Sequence, residues 1–450
     1  MSPTLYRRNK GLRSAKRRFP LECRAFRSLK IESYSLGVVA GFSYSHGRFS
    51  CFQRRGYMLD YAYGLFPGLT FWDYVAITFV MVQVTMLSVT LYLHRDQAHR
   101  AIALHPLLRI FFRIWIWLTS GMQTREWVAI HRKHHALCER EGDPHSPVVF
   151  GLRKVLLEGV ELYKEEGKNA ETIDKYGRGT PGDWLERKVI QRHPSLGIVM
   201  MVGIDVLLFG VVGITILAIQ MLAMPVFAAG GINGLGHHSG YRNFETDDAS
   251  TNMIPVAILI GGEELHNNHH AFPTSAKFSL RWWEIDIGWF YIRILQAVGL
   301  CRVRRLAPKP NVVDEPRHAD LEMLQGILVN RMHVLRDYTR KVTLPVLRSE
   351  RRANRNSRLL RKARKLVVRH PGWLDDVAQA RLATLLANHQ TLRIVHEYRE
   401  RLTELWEQAN VSNELLVTHL KEWCMMAEAS GIKALEDFAT KLRGYALQGS

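Results

Sequence analysis

This sequence predicts an all-α protein: integral membrane helices, a histidine-rich metal-binding cap facing the cytoplasm, and a helical C-terminal appendage. Three observations carry that expectation. Residues 71–93 and 196–232 are apolar runs long enough for one and for two membrane passages. Nine of the 20 histidines stand in tight groups beside those runs. Beyond residue 302 the chain is soluble in character, with helical periodicity over Met323–Leu347, Leu374–Leu386 and Ile394–Ala409.

An apolar fraction of 47% and a charged fraction of 23% exclude a disordered or collagen-like chain. The mean hydropathy of −0.11 averages unlike segments. The net charge of +19 invites a nucleic-acid reading, but its location argues against one. Residues 1–57 hold 13 Lys/Arg against Glu22 and Glu32 and so supply +11 of the total. From Arg348 to Arg369 ten Lys/Arg face one acid, Glu350. Attraction to anionic lipid accounts for this second run without a nucleic-acid partner. Cys23, Cys51, Cys138, Cys301 and Cys424 are scattered, with neither zinc-site nor disulfide spacing, as expected in a reducing, cytoplasm-facing protein.

In chain order, residues 1–57 lack a sustained apolar period; both a basic tail and untranslated sequence ahead of a start at Met58 fit them. Phe71–Leu93 holds one charge, Asp73, and at 1.5 Å per residue spans the bilayer core of about 30 Å, with Trp72 and Tyr92 suited to its interfaces. Leu104–Gly121 carries Arg109 and Arg113 four apart on one face, which predicts an interfacial amphipathic helix. Leu196–Ile232 holds a single charge, Asp205, with Gly210, Gly213 and Pro225 inside it, and reads as a hairpin of two short membrane helices. The expected divisions are 1–57, a membrane-bound unit at 58–305, and a helical region at 306–450 with no catalytic pattern.

The histidine groups are His94 with His99; His131, His134 and His135; Asn233 with His237; and His266, His269 and His270. On a helix, residues at i, i+3 and i+4 share a face, so the second and fourth groups each present three imidazoles together. His94 and His99 are five apart, about 140° around an ideal helix. They therefore serve different metals, or the helix loosens at its end. Imidazole is the commonest transition-metal ligand, and nine exceed what one ion uses; two metals with four or five each account for them. All groups must lie on one side of the membrane to share a site. The 196–232 run then crosses an even number of times, and the Lys/Arg-rich flanks place the site in the cytoplasm. The same topology puts the N-terminus outside, where a +11 tail is unfavourable, and so favours Met58 as the start.

The stretches LYLHRDQAHR (91–100), REWVAIHRKHHALCEREGDPHSP (125–147), NGLGHHSGYRNF (233–244) and GGEELHNNHHAFPTSA (261–276) resemble the membrane-bound fatty acid desaturases. Within that family they are most like the bacterial Δ9 acyl type, similar to stearoyl-CoA desaturase with its three histidine boxes. The resemblance covers about residues 65–305. It implies a di-iron centre held by His94, His99, His131, His134, His135, His237, His266, His269 and His270, with Asn233 acting through a water. It also implies an O2-dependent oxidoreductase that removes two hydrogens from adjacent methylenes of an acyl-CoA or phospholipid-bound chain, for which redox-silent zinc does not serve. No cytochrome b5-like or ferredoxin-like pattern is present, so electrons must come from a separate donor, such as ferredoxin or a flavin/iron-sulfur reductase. The implied location is a bacterial inner membrane. Only one clear span precedes the first box, where larger eukaryotic members have two hairpins.

Beside the boxes, Trp127 and Trp282 are candidates for lining an acyl tunnel, as is Trp283. Asp143 and Glu264 are candidates for orienting imidazoles. Arg95, Arg100, Arg132 and Lys133 are candidates for a phosphate or CoA headgroup. Other readings are a histidine-rich di-iron lipid or alkane hydroxylase, a metal transporter with ligands inside its spans, and a nucleic-acid-binding C-terminal region. Removing residues 1–57 is expected to leave membrane insertion and activity intact; loss of insertion on expression of the truncated chain refutes this.

Overall fold

A computed structural model of the chain describes residues 64–312, 320–369, 372, 374–407 and 412–446. The expected tail at 1–57, and Met58, lie outside the described residues. The structure is helical almost throughout, with three two-stranded pairings among the described residues. The all-α expectation therefore holds.

The first membrane helix opens on a capping box. Thr70 accepts from the Asp73 amide, and the Asp73 carboxylate accepts from the Thr70 amide at 2.8 Å, which gives the one charge of this apolar run its place. The helix is α over Phe71–Leu87 and continues as a π-helix over Ser88–Ala98. The predicted hairpin forms as Pro194–Phe209 and Val212–Met224, reversing at Gly210, whose φ of 62° suits glycine. Gly213 lies directly against the Asp205 backbone, an approach no side chain would permit. Two helices, Phe71–Ala98 and Val212–His237, are long and apolar enough to cross a membrane, and Pro194–Phe209 is a shorter apolar helix. Their outward faces expose Phe71, Trp72, Val80, Val199, Leu207, Ile214 and Leu222, side chains that water would not tolerate together and lipid would.

Pro106–Ser120 is helical as expected, and Arg109 and Arg113 do leave it together, but toward protein rather than headgroups. Arg109 pairs with Asp96 at 2.7 Å, and Arg113 pairs with Asp183 at 2.8 Å. After the π-helix the chain forms the strand Ile102–Leu104, antiparallel to Cys301–Val303, in the register Ile102 to Val303 and Leu104 to Cys301. That pairing ties the end of the first histidine segment to the end of the membrane-bound portion.

Among the described residues, apart from a small cluster of Ala257, Leu265 and Phe278, there are two large hydrophobic cores that share no residue. One runs from Val82 to Cys301 and includes Leu91, Tyr92, Ile116 and Ile292. The other runs from Met323 to Tyr445 around Tyr338, Trp423 and Phe438, with Trp423 Nε1 donating to Tyr398 O at 2.9 Å and Tyr338 Oη to Val395 O at 2.7 Å. Asp320, Asp375 and Ser412 cap the helices Leu321–Val329, Asp376–Asn388 and Asn413–Glu428 by accepting from backbone amides.

His333 joins the two portions. Its ring lies 5.1 Å from Phe272 and 5.3 Å from Phe244. Arg336 donates to its Nδ1 at 3.1 Å, while its Nε2 donates to Pro308 O at 3.1 Å. Burial and the Arg336 charge push it down from 6.5 to about 4. Asp337 opposes that and Arg281 adds to it. The folded protein thus holds a neutral ring that the unfolded chain would protonate. Its contribution to stability is complete above pH 6.5 and is lost as pH falls toward 4. In thermal unfolding across that window, His333→Phe is expected to flatten the pH dependence relative to the unaltered protein.

Candidate metal centre

The histidines gather because four separate segments end at the same place. The π-helix brings in the first pair: His99 N donates to His94 O at 3.0 Å, an i to i+5 bond that stacks positions an α-helix would splay. Of the two options the spacing left open, the helix loosens, and both rings join one group, 4.8 Å apart. The helix Thr124–Leu137 supplies His131, His134 and His135. A π segment, Pro225–Gly234, with the 3-10 turn Leu235–His237, supplies Asn233 and His237. The six-residue helix His266–Ala271 supplies the rest.

They sort into two groups. In the first, His94, His99, His131, His135 and His269 converge, with Nε2 atoms 3.0 Å apart for His94–His269, 2.8 Å for His99–His131 and 2.9 Å for His269–His135. In the second, His134, His237, His266 and His270 converge, at 3.2 Å for His134–His237, 2.9 Å for His266–His237 and 3.1 Å for His270–His266. At a metal–nitrogen bond of about 2.1 Å, two ligands at a right angle stand about 3.0 Å apart. All nine predicted histidines are therefore at ligand spacing, divided five and four. Asn233 lines the same cavity as His134 and His266.

Carboxylates behind the rings decide which nitrogen faces inward. Nδ1 donates to Glu263 in His94 at 2.7 Å, to Asp143 in His134 at 3.0 Å, to Glu139 in His237 at 2.8 Å and to Asp248 in His270 at 2.8 Å. With Nδ1 donating outward, Nε2 is the atom each of these rings offers to the site. The Nε2 atoms of His134 and His237 stand 3.2 Å apart, a spacing that suits a shared metal ion. Burial, then the neighbouring imidazoles, push His131, His135, His266 and His269 well below 6.5. Burial likewise brings His270 to about 4 against the pull of Asp248. Burial works against the carboxylates too, but His134 holds Asp143, and His270 holds Asp248, well below the usual range. The residues present fit a pair of metal ions.

The third box owes its asparagines to folding. Asn267 Oδ1 accepts from the amides of Asn243 and Phe244, both at 2.9 Å, and Asn268 Nδ2 donates to Glu284 and Phe278 O. They clamp the loop that carries Asp248. Glu139 sits at φ 62°, a left-handed conformation costly for a long side chain, held by His237 and the Ala249 amide.

Among the weaker candidates, Asp143 is at the site, and Trp127 stacks on His131 at 4.8 Å and lines the cavity. Trp282 is not: its indole is 95% exposed, on the surface rather than at the cavity. Trp283 packs on Tyr241, and Glu264 accepts from the Leu259 and Ile260 amides instead of an imidazole. Arg95 is buried against Asp286 at 3.0 Å; Arg132 bonds carbonyls of Gln97, Ala98, Tyr176 and Arg178; Lys133 pairs with Glu166. Of the four basic headgroup candidates only Arg100 lines an open cleft, with Arg109 and Arg304. Sequence reasoning missed Glu139, Asp248, Glu263 and His145, whose ring lies 4.3 Å from His134. It also took Cys138 as incidental, yet its Sγ stands 3.7 Å from His134 Nε2. Burial, then Asp248 and Glu139, raise that thiol well above 9, and it stands among the metal-ligating side chains of the second group with His134, His237 and His270.

A helical membrane body whose histidines converge in two groups defines a class. Residues 69–293, half of the chain, match the fatty acid desaturase family model, and the chain belongs to that family. It is 31% identical over 234 residues to Delta-9 acyl-lipid desaturase 2 of Arabidopsis thaliana, covering 51% of this chain and 74% of that protein. It is 30% identical over 248 residues to the sn-1 stearoyl-lipid 9-desaturase of Synechocystis, covering 54% of this chain and 75% of the relative. It is 33% identical over 237 residues to the icosanoyl-CoA 5-desaturase of Limnanthes douglasii, covering 51% and 64%. The protein is thus an acyl-chain-desaturating oxidoreductase of the membrane with a metal centre. Residues 325–448 match a second family model, described as Transposase. Among the described residues, the groups of three or more metal-ligating side chains all lie between His94 and His270.

Glu139→Gln and Asp143→Asn each free an imidazole to rotate or change tautomer, so each is expected to weaken metal binding about 10–100-fold, measured by metal content after graded chelation.

Proposed function

We propose that this chain introduces a cis double bond, at Δ9, into a saturated acyl chain carried on CoA or phospholipid, using O2 and two electrons, in unsaturated fatty acid biosynthesis. The observation that carries this reading is an apolar cavity opening on both histidine groups. Met86, Val89, Trp127, Ile130, Met224 and Ile232 line it beside His94, His131, His134 and His266. A methylene chain has no polar handle, so only shape and apolar contact can position it. Trp127 fixes one wall against His131, and the buried lining keeps water from the reacting carbons.

His94, His99, His131, His135 and His269 are assigned to one iron, and His134, His237, His266 and His270 to the other, with Asn233 acting through a water. When bound, the irons supply the oxidising power that unactivated C–H bonds demand. The protein holds nine imidazoles together at ligand spacing, four of them oriented by carboxylates. Electrons are assigned to a separate ferredoxin or flavin/iron-sulfur reductase. The basic flanks of the boxes support a site on the cytoplasmic side of a bacterial inner membrane. The two separate cores support division into a desaturase unit at 58–305 and a helical region at 306–450.

A di-iron lipid or alkane hydroxylase shares the metal set and differs in product. Lipid profiling of a desaturase-deficient host expressing the chain is expected to show a Δ9 olefin; a hydroxylated product without olefin overturns the reading. In the same host, His134→Ala or His269→Ala is expected to abolish the olefin and lower iron content. Asn233→Ala is expected to lower turnover with a smaller loss of metal.

A further inference from the structure

Between the two cored portions lies a cleft of about 550 Å3 that the chemistry above does not use. Its walls carry Arg242, Arg281, Arg336, Arg340, Arg348 and Arg364 against one acid, Glu245. The first two come from the desaturase portion and the other four from the helical region. Arg242 spends its Nη atoms on carbonyls of Thr246, Asp248 and Ser250. Its buried Nε makes no hydrogen bond and stands 4.0 Å from Glu245. Arg340, Arg348 and Arg364 are exposed and make no ion pair among the described residues. Arg336 pairs with Asp337 at 2.6 Å. Burial, then the charge of Arg336, lower the basicity of Arg281, with Arg340 adding to this and Glu284 and Asp337 opposing it.

Beneath the arginines the cleft is floored by the helical region. Thr339 is 5% exposed, lines the cleft, and its Oγ1 has no hydrogen-bond partner. It opens a π-helical stretch, Thr339–Thr343, a distortion frequent at functional sites. A buried hydroxyl left unpaired is costly, and so are converging guanidinium groups. A phosphate-bearing ligand relieves the converging guanidinium charges, because its oxygens accept from guanidinium forks. The volume is that of a small-molecule site, too confined for a nucleic-acid duplex.

We propose that this cleft binds a phosphate-bearing polyanion, bridging the desaturase portion and the helical region. The ligand chemistry is shared by a soluble di- or polyphosphate and an anionic lipid headgroup. Full-length protein in phosphatidylcholine nanodiscs, titrated with radiolabelled pyrophosphate, tests the soluble source. Thermal unfolding in nanodiscs with and without phosphatidylglycerol tests the headgroup. Saturable pyrophosphate binding, or a rise in Tm with phosphatidylglycerol, is expected. Either response should be weakened at least tenfold, or abolished, in Arg340→Gln/Arg348→Gln/Arg364→Gln and unchanged in Arg401→Gln, a control arginine outside the cleft. Unaltered circular dichroism of the triple variant separates lost binding from lost fold. Absence of both responses, equal responses in the triple variant, or tight binding of a DNA duplex that pyrophosphate does not displace would overturn the proposal.

Discussion

Nine imidazoles crowded to ligand spacing is a costly arrangement, and much of the molecule is organised to impose it. Rings with inward lone pairs repel, and protonation would relieve the repulsion while destroying the ligand set. Burial removes the solvent that would stabilise imidazolium. The carboxylates of Glu139, Asp143, Asp248 and Glu263 then fix the proton on the outward nitrogen of four rings. Each of these carboxylates has an anchor of its own: Asp143 accepts from the Glu139 and His145 amides, and Glu263 from Thr90. The loop bearing Asp248 is stapled by Arg242, by Asn267, which accepts from the Asn243 amide, and by Asn268, which accepts from the Asn243 and Asn252 side chains.

Irregular helix geometry serves the same end. Both segments that deliver histidines from the membrane do so through π-helices, Ser88–Ala98 and Pro225–Gly234. A straight α-helix would point His99 away from His94. The wider winding is unfavourable for a free helix, and here it is packed on every side: all eleven residues of the first segment are buried. Arg95, wholly buried within that winding, is neutralised by Asp286 and lies 3.8 Å over the Phe278 ring.

The membrane helices, the hairpin and the histidine groups were legible in the sequence because they rest on local signals: apolar run length and i, i+3, i+4 spacing. Asp143 was visible for the same reason, lying one short loop beyond its box. The hidden features depended on distant pairing. Glu263 and Glu264 are neighbours of equal chemistry, and only the fold decides that the first meets His94 while the second caps a backbone turn. Trp282 sits near the third box in sequence, but the chain turns it outward. Arg95, Arg132 and Lys133 looked like a headgroup patch until their partners, tens of residues away, came into view. The left-handed backbone of Glu139 leaves no signature in a residue that ordinarily avoids it.

The short pairing of Ile102–Leu104 with Cys301–Val303 has a consequence for how such a chain can diversify. It sews the desaturase portion shut, so the chain beyond Val303 departs from a seam rather than from the middle of the site. Any segment grafted there inherits a fixed point of departure and leaves the nine rings in place. A helical segment with a separate core and a different family likeness can therefore occupy that position, and exchange of the segment is a change of attachment rather than of chemistry.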